Sequence, residues 1–169
     1  ALTLGIAIML WPELARRSQR HALWLLMVAG MSCALEAVHS GTLLALLSAS
    51  QRFADAGMTD AALAAVVGSA RRWAHFTQLA FTGGWIFTFY LAMLRFAFVP
   101  RWLAVLGLAG IVAQFAGVTL PGLLGLPLTS VMAMPLAPIH VTTAGWLMVK
   151  GLSGKAEPLP ASPRTETDQ

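Results

Sequence analysis

Apolar and polar positions along this chain fall into long hydrophobic runs separated by short charged stretches. The first run, ALTLGIAIMLW, is followed by PELARRSQRH, a basic loop carrying Arg16, Arg17 and Arg20. Its eleven residues reach only ~16 Å as a helix, about half of a hydrocarbon core. Ala22 to Ser50 is a second run and is long enough to cross a bilayer. A polar loop, QRFADAGMTD, then leads to DAALAAVVGSARRW, with Thr59 or Asp60 placed to cap the helix that follows. That lead-in is either the amphipathic start of one continuous helix or an interfacial helix beside it. Trp73 to Val99 forms the next span, stopped by Pro100, and Trp102 to Thr119 another, stopped by Pro121 and Gly122. The last span, about Leu126 to Val149, is interrupted by Pro135 and Pro138 and closed by Lys150.

This pattern predicts an all-α, polytopic transmembrane bundle of four full spans plus a partial N-terminal span. Residues 1–151 form the membrane domain, and 152–169, polar and proline-containing, form a disordered cytoplasmic tail. The chain opens inside an apolar run with no Met and no charged leader region, which fits an N-terminus cut from a longer precursor better than an intact signal peptide.

Composition agrees. Of 169 residues, 57% are hydrophobic and 11% charged, against about 25% charged in soluble domains. The mean hydropathy is +0.72, which excludes a water-soluble globule and, with six tryptophans, a disordered chain. The net charge of +4 is topogenic rather than a nucleic-acid footprint, because the basic residues sit between apolar runs. Arg16, Arg17, Arg20, Arg95, Arg101, Lys150, Lys155 and Arg164 fall on one side of the spans, and Arg52, Arg71 and Arg72 on the other. The positive-inside rule makes the first side, and the tail, cytoplasmic in a bacterial inner membrane. Trp11, Trp24, Trp73, Trp102 and Trp146 lie near span ends, where interfacial tryptophans belong. The lone Cys33 cannot form an intrachain disulfide. The expected partners are the lipid bilayer and either further copies of the chain or other subunits of a membrane complex, with no nucleic acid.

Several strings, LWPELARRS, ALWLLMVAGMSCALEAVH, FVPRWLAVLGLAG and GWLMVKG, resemble a bacterial multi-pass membrane family defined as domain of unknown function 4386. The similarity runs from Met9 to Gly151. It implies a membrane helical fold, membrane sequence ahead of the point where this chain starts, an acidic residue at Glu36 and a His near His75. It implies no activity.

The candidate chemistry lies in polar residues within the spans. Glu36 sits near the middle of its run, where a carboxyl group costs at least ~2.5 kcal/mol and asks for a partner. His39 is three residues on, about one turn, so the two share a helix face. His75 and Gln78 lie in the outer turns of the next span, Gln114 in the outer half of the following one, and His140 mid-way along the last. Because polar side chains avoid lipid, Glu36, His39, His75, Gln78, Gln114 and His140 are expected to meet as one internal cluster.

Three readings of that cluster stay open. One is a structural hydrogen-bond network in a small membrane protein or accessory subunit. A second is a redox protein, with two of His39, His75 and His140 on facing helices clamping a haem, or a single metal ion on Glu36, His39 and His75 or His140. The third is a proton- or solute-conducting path beside the Pro135–Pro138 break. A di-metal site would need a second Glu-x-x-His pair and two more carboxylates, which are missing. The string Gly151-Leu152-Ser153-Gly154 resembles an intramembrane serine-protease motif, but its Ser is in the tail with no His after it. Nothing else in the sequence marks an enzyme, and the simplest expectation is a protein without catalytic residues or a cofactor.

Overall fold

The computed structural model describes residues 2–55, 61–127 and 130–151, with side chains described for all but 53–55, 61–64 and 130. The predicted tail and the Thr59/Asp60 cap lie outside these residues. Every regular element among them is helical: α1 (Leu2–Arg17), α2 (Gln19–Asp55), α3 (Ala61–Arg95), α4 (Arg101–Gln114), a π-helical turn (Phe115–Thr119), α5 (Leu120–Leu124), a 3-10 turn (Ser130–Ala133) and α6 (Leu136–Lys150).

The basic stretch after Trp11 is helix rather than loop. α1 runs through Pro12 to Arg17, and only Ser18 separates it from α2. Glu, Leu, Ala and Arg are good helix formers, and basic residues complement the carbonyl end of a helix. Ala7, Leu10 and Leu14 of α1 pack with Ala22, Leu25 and Ala29 of α2, spaced so that one stripe of each helix is buried. Likewise Gln51 to Asp55 continues α2 rather than opening the polar loop. The lead-in before Trp73 belongs to one continuous α3.

α3 is the centre of the bundle, flanked by α2 along its length and by α4 on another side. Its Trp85, Phe89, Tyr90 and Met93 join the core. The turn after it closes with Phe98 N–H donating to the Met93 carbonyl at 3.2 Å, which places Ala97 at φ 52. That left-handed conformation suits glycine better than alanine. Arg17 anchors the same corner, donating to the Phe96 carbonyl at 2.7 Å and lying 4.3 Å over the Phe98 ring.

Prolines shape the last third. A helical proline clashes with the carbonyl four residues back, and the π-helical turn falls on the residues just before Pro121. Pro135 and Pro138 lie at and just inside the start of α6, where missing N–H groups cost least. The predicted break is therefore a helix start preceded by a short 3-10 turn.

Among the described residues three stretches are long and apolar enough to cross a membrane, Gln19–Arg52, Arg101–Leu124 and Val131–Lys150. At 35 residues α3 has the length as well, but His75, Gln78, Thr82 and Thr88 dilute its apolar character.

Candidate functional site

The expected single cluster is a series of separate contacts strung along α3. At one level, the His39 and His75 rings lie 5.5 Å apart, tilted by 42°. His39 Nδ1 is buried with no hydrogen-bond partner among the described residues. Two turns further along α3, Thr82 Oγ1 meets Ser32 Oγ at 3.1 Å and accepts from Gln78 Nε2 at 3.3 Å. The 7-residue step is the same on both helices (39 − 32 and 82 − 75), as an antiparallel pair in constant register requires.

Gln114 is buried at the start of the π-helical turn. Its Nε2 donates to Thr119 Oγ1 at 3.0 Å, while its Oε1 is buried without a partner. The wider π turn is what brings residues 114 and 119 within reach. Gly83 of α3 faces Ile111 and Gln114 here at ordinary packing distance.

The third contact is at the other end of α3. Tyr90, 1% exposed, places its hydroxyl 2.8 Å from His140 Nδ1 and 3.3 Å from Thr143 Oγ1. Thr143 in turn donates to the Ile139 carbonyl at 2.8 Å. The Tyr90 ring lies where a side chain at Gly107 would stand, so Gly107 is what admits it between α3 and α4.

This placement separates His140 from the other two histidines. His75 and Tyr90 are fifteen residues apart on one helix, roughly 22 Å along its axis. A single ion shared by His39, His75 and His140 would need all three within one coordination shell, with metal–nitrogen bonds of about 2.0–2.1 Å, and a haem clamped by His140 would need one of the other two across it. The structure offers a His39–His75 pair and, far from it, a His140–Tyr90 pair. Glu36 lies on the exposed side of α2, and His75 is exposed as well. Among the described residues no three His, Cys, Asp or Glu side chains gather into a metal-holding group, so the trio Glu36, His39 and His75 is not assembled.

Other residues carry more of the structure than their sequence context suggested. Arg72 does not turn toward Glu36; its Nη2 donates to the Gly122 carbonyl at 3.3 Å, meeting a carbonyl that the short α5 leaves unbonded. Tyr90 and Thr143 form the contact with His140, and neither stood out from its apolar surroundings in the sequence. A buried Tyr hydroxyl usually needs a partner, and that rule is the signal by which Tyr90 could have been found.

The class this defines is an all-helical bundle with membrane-compatible helices and polar side chains paired between them. The chain belongs to the family described as domain of unknown function (DUF4386), whose profile matches residues 1–151. No curated protein and no solved structure matches the chain.

Proposed function

We propose that this chain is a multi-pass protein of the bacterial inner membrane, a small accessory component rather than an enzyme. Its spans are α2, α3, the α4–α5 stretch and α6, with α1 as a partial span. Thr82 and His75 on α3 face Ser32 and His39 on α2, Gln78 bonds Thr82 within α3, and Tyr90 faces His140 and Thr143 on α6. The single observation that supports this reading best is that pairing, in which one central, less apolar helix offers a polar partner to two neighbours at successive levels. Such contacts are worth only ~0.6 kcal/mol each in a bilayer, and they fix helix register more than they stabilise.

The sidedness of charge supports an orientation. Arg17 contacts the α3–α4 turn, Arg95 and Arg101 border that turn, and Lys150 ends α6, so these cations share one end of the bundle. The positive-inside rule puts that end, and the chain after Lys150, in the cytoplasm. Reporter fusions test this. A fluorescent protein after residue 151 should fold and fluoresce, and alkaline phosphatase at the same place should be inactive. Phosphatase inserted between Asp55 and Ala61 should be active. The reverse pattern would sink the proposed orientation, and activity at neither position would remove the four-span arrangement.

A further inference from the structure

Apart from the His39–His75 pair, the bundle has a groove of about 540 Å³ between α1 and α6, floored by α3. That volume is within the range of pockets that take small organic ligands. Ile6 and Leu10 form one wall and Trp85 and Phe89 the floor, while the exposed Met9 and Met148 stand at the rim. The walls are almost wholly apolar. The polar exception is the Tyr90–His140–Thr143 set.

His140 is half-buried and lines the groove. Its Nδ1 is engaged by Tyr90, and Nε2 makes no hydrogen bond among the described residues. Nε2 is therefore the ring nitrogen left to bond an occupant. Its role depends on the tautomer. If the Tyr90 hydroxyl donates to Nδ1, Nε2 carries the proton and serves an acceptor such as a carbonyl. If Tyr90 donates to Thr143 instead, Nδ1 carries the proton, donates to the Tyr90 oxygen, and leaves Nε2 to accept from a hydroxyl. Trp85 on the floor is 6% exposed, and its Nε1 is buried away from the groove without an acceptor among the described residues, so His140 is the polar group an occupant meets. No basic side chain lines the groove, so a phosphate or carboxylate head would sit there without a counter-charge.

We infer that this groove binds a long-chain lipid with an uncharged oxygen head, carbonyl or hydroxyl, the head on His140 and the chain leaving between Met9 and Met148. The lateral exit depends on the bundle being membrane-embedded; the binding itself does not. A prenylated quinone and a diacylglycerol both have this chemistry, and the test separates them. Decylubiquinone quenches tryptophan fluorescence and serves as the first probe on the purified full chain in nanodiscs. A saturable quench should appear, and its main component should vanish in Trp85→Phe. His140→Ala should weaken binding by roughly five- to tenfold, the scale of one hydrogen bond, and His140→Gln should recover part of that loss. Ala144→Phe, at an exposed position on the wall, should fill the groove and abolish the quench while circular dichroism stays unchanged. Quinone binding with this variant pattern identifies a quinone site. If only dioctanoylglycerol competes for the site with the same pattern, the class stands and the source is an acylglycerol. Binding of either probe that is indifferent to both His140→Ala and Ala144→Phe overturns the inference, as does the absence of saturable binding. A concentration-dependent dimer lost in Ala144→Phe, without lipid binding, would overturn it too.

Discussion

The two halves of α2 have similar composition and different surroundings. In the first half, Ala22, Leu25, Ala29 and Ser32 are all buried, because α1 flanks one side and α3 the other. In the second half the same stripe continues through Leu35, His39, Thr42, Leu46 and Ala49, yet each of these is only half-buried. There α3 is its neighbour among the described residues. An apolar residue in a membrane helix is therefore core or surface according to what stands beside it, since lipid is as apolar as the interior.

Matched substitutions sharpen that contrast. Leu25→Ala removes a side chain that is 1% exposed and should cost about 2 kcal/mol or more, whereas Leu47→Ala, at 56% exposure, should stay within about 0.5 kcal/mol. Reversible unfolding in mixed micelles reads both, and equal losses would mean the second half is packed as tightly as the first. Glycines should differ in sign. Gly107→Ala puts a Cβ into the Tyr90 ring and should cost about 1–3 kcal/mol, while Gly41→Ala meets nothing and should gain about 0.5–1 kcal/mol of helix stability. A gain at both positions would show that Tyr90 can move aside freely.

Smaller effects follow at the contacts themselves. Tyr90→Phe removes the hydroxyl that His140 and Thr143 share, and about 1 kcal/mol of stability should go with it. Ser32→Ala, at the Thr82 level of the same helix, should cost about 0.6 kcal/mol. Should Ser32→Ala prove the more damaging, the α2–α3 contact would be the main polar lock. Ala97→Gly relieves a left-handed alanine and should stabilise the α3–α4 turn by about 0.5–1 kcal/mol. No gain on thermal unfolding would mean the turn tolerates alanine without strain.

Much of the fold was legible in the sequence. The apolar runs, the stop at Pro100 and the clustering of Arg95, Arg101 and Lys150 follow from local chemistry, whereas the helix expected to stop at Pro121 continues to Leu124 and the break expected at Pro135 is a helix start. Helix ends at charged residues were harder to place. Arg16 and Arg17 extend α1 and Arg52 lies inside α2, since cations near a helix C-terminus favour continuing it. The candidate site was legible as a set of residues but not as an arrangement. Depth along each span was readable from residue counts, and it placed His39 against His75 correctly. The rotation of one helix against another has no local code, so nothing in the sequence showed that Glu36 lies on the exposed side or that His140 pairs with Tyr90.

By itself, the sequence determined a helical membrane-type chain of its family and the end to which its charges go, because hydropathy and charge act on each segment alone. Only the tertiary structure decided which polar groups meet. It divided the expected cluster into separate contacts along α3 and opened the groove beside His140. The physical reason is that pairing depends on the approach allowed by small residues such as Gly107 and on the rotation of one helix against another, neither of which any one segment encodes.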